Sequence, residues 1–355
     1  MMRVTEKKFN LNLLIRDNIK AMRPYSSARD EFNELNSNNM IFLDANENPF
    51  ENDVNRYPDP HQKALKEVLA TIKNVNSASI VIGNGSDEVL DLLFRAFCEP
   101  NVDNIITLPP TYGMYGVLAN LNAIENKRIL LTDDFQPNVS SILNRANEHT
   151  KMIFLCSPNN PTGNTFSETE ILKILKEFKG LVVIDEAYIE FSEKPSWLKR
   201  INEYENLVIV QTLSKAYGMA GLRLGLLFAS PEIIAVLEKI KPPYNVNSIS
   251  QKIAIEKLAS MKYIYEIEEL KSERERVMKA LVRCKIVTEI FPSETNFILF
   301  RVDNATFQYH QFLQNGIVVR NRSNDSLCRS CLRITIGTPK ENDKVIELLK
   351  NLKNV

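Results

Sequence analysis

Short apolar runs alternating with helical periodicities constrain this chain more than anything else in it. Runs of strand character occupy residues 105–108, 128–132, 152–156, 181–184, 207–211 and 224–228, and helical spacing marks residues 61–75, 86–98, 168–179 and 231–241. Strands separated by helices predict a layered α/β core around a largely parallel sheet, because parallel neighbours need a crossover connection. The texture changes after Pro242-Pro243. A long polar helix is expected over residues 264–283, then strands at 286–290, 296–302, 317–320 and 332–336, with a helix at 305–315 among them and a last helix from Glu341. That order reads as a smaller α+β unit. The expected division is an N-terminal arm over residues 1–45, which packs with the small domain and a dimer partner, a large domain over 46–245 and the small domain over 246–355.

Charge narrows the function. Lys plus Arg and Asp plus Glu both number 44 in 355 residues, so the formal net charge is +0 and the global basic excess needed for non-specific nucleic-acid binding is missing. No apolar stretch approaches the roughly 18 residues that span a bilayer, and the first residues carry no continuous apolar signal core. A soluble cytoplasmic protein, with no membrane or nucleic-acid partner, is the expectation. The 5 cysteines fit reduced thiols. Cys328 and Cys331 have CxxC spacing, but no second pair or histidine cluster accompanies them, so they read as packing thiols and no metal site is expected.

The densest chemistry lies in TLSKAYGMAGLRLG, residues 212–225, directly after an apolar run. A lysine among hydroxyls and small residues at a strand end suits condensation with an aldehyde cofactor once desolvation lowers its pKa. Lys215 is that candidate. Arg223 offers a planar fork for a phosphate dianion, and Thr212 and Ser214 add hydroxyl donors. Upstream, VVIDEAY (182–188) sets Asp185 at the carboxyl end of a buried strand, where open α/β sheets bind ligands. Such an acid either caps a helix or holds a pyridine nitrogen protonated, and Tyr188 is placed to bond the ring's phenolic oxygen. The turn SPNNPTGN (157–164) aims Asn160 at the same oxygen.

In this order the three blocks resemble the fold-type I aminotransferases that use pyridoxal 5′-phosphate, and the likeness runs along nearly the whole chain. It implies a large domain with a mostly parallel seven-stranded sheet flanked by helices, plus a smaller α+β domain. On that resemblance GNGSDE (83–88) opens a helix whose N–H groups cradle the cofactor phosphate. Ser86 is its expected N-cap, and Asp87 contributes through the main chain and capping. Tyr112, in PPTYGMY (109–115), would stack on the pyridine ring, although a core tyrosine reads the same way.

Within that superfamily the chain is most similar to the histidinol-phosphate aminotransferase family. The similarity is carried by PYSSARD (24–30), LDANENPF (43–50), RYPDP (56–60), SETNF (293–297) and VVR (318–320) leading to CLRITIGT (331–338). It implies a homodimer in which Tyr57 reaches the phosphate of the neighbouring subunit's cofactor. It also implies substrate contacts from Tyr25, Asn46, Arg320 and Arg333. Guanidinium forks accept a phosphate monoester or a carboxylate bidentately, so one pocket can serve both substrates; read alone, either arginine also suits an exposed salt bridge. Two departures from the pattern stand out: Ser86, where a small apolar residue is common, and the segment 321–330.

The implied activity is transamination of L-histidinol phosphate with 2-oxoglutarate to give imidazole acetol phosphate and glutamate, a step of histidine biosynthesis. Lys215, Asp185 and Tyr188 are the implied catalytic residues. Competing readings on the same scaffold are an aromatic amino acid aminotransferase and a decarboxylase of phosphorylated threonine. A cofactor-sensing transcription regulator is the reading from another class; it needs a DNA-binding module for which residues 1–45 are too short and too weakly basic.

Overall fold

The computed structural model of the chain describes residues 9–25 and 41–352. Residues 1–8 and 26–40 of the expected arm, among them 26–30 of the PYSSARD motif, lie outside the described residues.

Seven strands form the larger sheet: β1 (Ile80–Asn84), β2 (Asn104–Thr107), β3 (Glu125–Arg128), β4 (Thr150–Cys156), β5 (Leu181–Asp185), β6 (Leu207–Thr212) and β7 (Leu224–Phe228). Their order across the sheet is β1-β7-β6-β5-β4-β2-β3. All neighbours run parallel except at β7, which is antiparallel to both β1 and β6. A parallel strand covered on both faces reads as a continuous apolar run, not as an alternation. LVVID and LVIVQT do, and every residue of β5 and β6 is buried.

The parallel arrangement has a direct consequence for the site. The last residues of β2, β4, β5 and β6, namely Thr107, Cys156, Asp185 and Thr212, all line one cleft. Because β7 runs the other way, its preceding residue Arg223 arrives at that same rim.

Four further strands, β8 (Val287–Ile290), β9 (Phe297–Val302), β10 (Arg320–Asn321) and β11 (Cys331–Thr335), make an antiparallel sheet in the order β10-β11-β9-β8. Helices Lys262–Val282, Ala305–Gln314 and Pro339–Asn351 cover one face, through a core that includes Val277, Leu281, Phe300, Phe312, Leu332, Ile334 and Leu349. Side chains alternate along a strand. With Leu332 and Ile334 turned into that core, Arg333 faces the opposite way, toward the cleft.

Three expectations need correction. The strand expected over 128–132 lies at Glu125–Arg128: as the outermost strand, β3 has no neighbour on one side and tolerates the polar sequence ENKR, while the apolar residues 129–131 run on past it. Of the strand expected over 317–320 only Arg320 is paired, in the two-residue β10 that runs on to Asn321. Ser86 is the first residue of helix Ser86–Phe97, whose N-cap is Gly85 at φ 87°, a left-handed-side backbone that glycine adopts without strain. Strand β1 and helix Met114–Leu121 were not anticipated.

Glu186, just after β5, is fully buried and accepts hydrogen bonds from Ser196 Oγ at 2.5 Å, Trp197 N at 2.7 Å and Gln211 Nε2 at 2.9 Å. Burial outweighs those bonds and pushes its carboxyl from 4.5 up to about 7. A raised carboxyl pKa contributes stability that is complete below the unfolded value and lost as pH rises through the folded one. Glu186→Gln keeps the shape and removes the titration, so thermal melts across the interval from 4.5 to about 7 should show a flatter decline than the parent protein. Parallel curves would mean that this carboxyl stays ionised throughout.

Candidate active site

A cleft of about 990 Å³ opens at the carboxyl ends of the parallel strands. It brings together Ser86, Asp87, Tyr112, Asn160, Asp185, Tyr188, Thr212, Ser214, Lys215, Arg223, Arg320 and Arg333 from segments far apart in sequence.

Asp185 is its most buried acid, 3% exposed at the end of β5. Burial raises its pKa, while two donors work against that: Tyr115 Oη, 2.7 Å from Oδ2, and Ala187 N, 3.1 Å from Oδ1. Tyr115 was not singled out from sequence. The available signal was its position three residues after Tyr112, with Tyr112 just before the N-cap Gly113 and Tyr115 in the first turn of helix Met114–Leu121; their rings meet edge to face at 5.5 Å. Tyr112 in turn donates from Oη to Asp87 Oδ1 at 3.0 Å, so Asp87 acts through its side chain as well as its place in the first turn.

Lys215 is open to the cleft, yet its walls remove enough water to lower the ammonium pKa. Burial is the main cause and the Arg333 charge the next, with Asp185 pulling the other way. Its Nζ lies 5.8 Å from the centre of the Tyr188 ring. Tyr188 Oη accepts from Asn160 Nδ2 at 3.5 Å, and Asn160 Oδ1 accepts from Arg333 Nη1. Burial raises the phenol pKa, so Tyr188 keeps its proton.

Steric limits shape the opposite end. A Cβ on Gly225 would stand 2.2 Å from Gly85 C and Ser86 N, and one on Gly85 would stand 2.5 Å from Arg223 Nη2. Only glycines let β7, the helix start and the guanidinium close into one cup. Arg223 itself has left-handed backbone, φ 54°, a strained state for a non-glycine that persists where surroundings over-determine it. Helix N–H groups, the positive dipole end and a guanidinium together make an anion site. Ser214 lines it, but the Thr212 hydroxyl is used internally, donating to Leu224 O at 3.3 Å and accepting from Ser214 N at 3.1 Å. In this arrangement the Thr212 hydroxyl braces the turn while the residue lines the cleft.

Arg320 and Arg333 stand directly opposite each other across β10 and β11. Like charges in such register repel, and neither has an ion-pair partner among the described residues. Tyr25, Asn46 and Tyr57 are not part of this cleft. Tyr25 is 70% exposed, while Asn46 and Tyr57 border a second hollow of about 550 Å³, where Tyr57 stacks on Tyr244 at 4.6 Å.

Residues 35–349 match the family described as aminotransferase class I and II. The chain belongs to that family. Among curated relatives, histidinol-phosphate aminotransferase of Flavobacterium psychrophilum is 59% identical over 97% of this chain and 99% of its own length. A solved histidinol-phosphate aminotransferase from Clostridium acetobutylicum aligns at TM-score 0.77 and 27% identity, over 84% of this chain and 91% of that one. L-threonine-O-3-phosphate decarboxylase from Porphyromonas gingivalis aligns at TM-score 0.71 and 25% identity, over 84% and 90%.

Class I and II aminotransferases use pyridoxal 5′-phosphate, and the side chains present fit it. The glycine-walled cup suits its phosphate, the buried Asp185 a protonated ring nitrogen, and Lys215, with its lowered pKa, an aldehyde.

Tyr115→Phe removes one of the two donors that work against burial at Asp185, so that carboxyl pKa should climb further. The variant should fold and lose turnover by roughly tenfold or more, the scale of one charge-assisted hydrogen bond. The deficit should deepen as pH falls. A pH–rate profile superimposable on the parent's would reduce Tyr115 to packing.

Proposed function

We propose that this chain transfers the amino group of L-histidinol phosphate to 2-oxoglutarate, giving imidazole acetol phosphate and glutamate in histidine biosynthesis, with pyridoxal 5′-phosphate as cofactor. The observation that carries the substrate reading is the cross-strand pair Arg320 and Arg333, two guanidinium groups without carboxylate partners among the described residues, both facing the cleft that holds Lys215. Histidinol phosphate has no carboxylate, and its phosphate monoester is the one anionic handle such a pair can hold. The relatives' activity points the same way.

Each side chain then has a task. Gly85, Ser86, Ser214 and Arg223 bind the cofactor phosphate through N–H, hydroxyl and guanidinium groups. Tyr112 covers one face of the ring. Bound there, the cofactor supplies an aldehyde that condenses with amines and a ring that accepts the electron pair left when a neighbouring carbon loses its proton. Asp185 holds a proton at the ring nitrogen, and Asn160 and Tyr188 bind the phenolic oxygen. Lys215 Nζ, whose lowered pKa favours the free amine, takes the proton from the substrate's Cα. Arg320 and Arg333 fix the far end of the substrate, which sets the direction in which that C–H bond points.

The same reading includes a homodimer in which Tyr57 reaches the partner's cofactor phosphate. Its support is exposed apolar side chains on this part of the chain: Val54 and Ile249 border the same hollow as Tyr57, and Ile41, Leu43 and Phe50, in the preceding segment, are also more than half exposed, as suits burial against a second copy. Work in the cytoplasm is supported by five cysteines that are all free and by the lack of any helix, among the described residues, long and apolar enough to cross a membrane.

Purified protein loaded with cofactor should convert histidinol phosphate and 2-oxoglutarate to glutamate, with phenylalanine a poorer donor. Lys215→Ala should fold, lose the visible absorbance of lysine-bound cofactor and lose turnover. Preference for phenylalanine, or carbon dioxide release from threonine phosphate, would overturn the assignment.

A further inference from the structure

The far end of the cleft carries more positive charge than the two opposed arginines. Arg322 lies two residues beyond Arg320, lines the same cleft and acts electrostatically on Arg333. One of its guanidinium nitrogens, Nη2, is 2.6 Å from Asp325 Oδ2, while Nε is buried without a hydrogen-bond partner. Arg333 Nε is buried and unpartnered as well. Both guanidinium groups line the cleft and neither is fully satisfied by the protein around it, a state that suits binding of an anion.

The loop geometry holds this arrangement in place. Asp325 N donates to Arg322 O at 2.9 Å, Arg322 N to Cys331 O at 2.9 Å, Cys328 N to Asp325 O at 3.1 Å and Cys331 N to Cys328 O at 3.0 Å. The thiols of Cys328 and Cys331 are fully buried beneath these turns and anchor them. Arg322 and Asp325 thus sit on a tied segment, with side chains only 21% and 32% exposed.

We propose that Arg322 is a third anion-binding arm for the substrate phosphate and that Asp325 is its exchangeable counter-charge. This rests on the function proposed above. In two half-reactions the same pocket must bind a phosphate monoester, which carries about −1.5 to −2 and three acceptor oxygens near neutral pH, and then a carboxylate with one charge and two oxygens. Arg320 and Arg333 match the two carboxylate oxygens. The phosphate's third oxygen and extra charge draw Arg322 away from Asp325. When phosphate leaves, Asp325 reclaims the guanidinium, so the pocket does not hold its first product too tightly to admit the second substrate.

The test uses the cofactor-loaded enzyme, Arg322→Gln and Asp325→Asn. It reads kcat and KM for each substrate, and the Kd of inorganic phosphate by calorimetry. Arg322→Gln should raise KM for histidinol phosphate and Kd for phosphate by about tenfold, the scale of one charge-assisted hydrogen bond, with kcat and KM for 2-oxoglutarate within about twofold of the parent. Asp325→Asn should move phosphate Kd the opposite way, severalfold tighter. Equal changes for both substrates in Arg322→Gln, or no change, would reject the third arm; unaltered phosphate affinity in Asp325→Asn would reject the exchange. Should the parent fail to use histidinol phosphate at all, the functional reading falls, while phosphate calorimetry on the same variants still decides the role of Arg322.

Discussion

A carboxylate taken out of water at the end of β5 is the constraint around which the rest of the site is arranged. Left alone, Asp185 would take up a proton or destabilise the sheet by several kcal/mol. It is instead met by Tyr115 Oη and Ala187 N, and it shares the cleft with the positive charges of Lys215, Arg223 and Arg333. The dependence runs both ways. Burial first, and then the charges of Arg333 and Arg223, lower the pKa of Lys215, and Asp185 keeps that lowering from becoming larger. Burial and the balance of nearby charges therefore act together on Lys215, with Asp185 the opposing influence.

Much of this was legible in the sequence, for a physical reason. In a parallel sheet the strands are apolar runs and their carboxyl ends face the ligand, so polar residues closing an apolar run mark the site directly. Asp185 after LVVI and Lys215 just beyond LVIVQT are both found that way. Tyr115 was hidden because its hydroxyl bonds Asp185 across 70 residues of sequence, and a buried tyrosine in an apolar helix looks like core. The Ser86 cap failed because a closer competitor, Gly85, could take the left-handed-side backbone that the tight approach of β7 demands. Strand β3 was displaced because the edge of a sheet relaxes the apolar requirement on which strand recognition relies.

The smaller sheet contributes by alternation. Leu332 and Ile334 commit β11 to its core, and the side chain between them must then point out, at the cleft. Arg333 is thereby aimed by its neighbours' hydrophobicity. Arg320 shares its register position across a two-residue strand, and the segment that follows could not be read from sequence because its order comes from successive turns and two buried thiols.

The single reversed strand has a last implication. Thr212 and Gly225 pair across β6 and β7, and Leu213 N bonds Leu224 O at 3.0 Å, so the segment bearing Lys215 and Arg223 is closed at its base like a clasp. The separation between Lys215 and Arg223 is thus written into one short stretch of backbone, a built-in ruler.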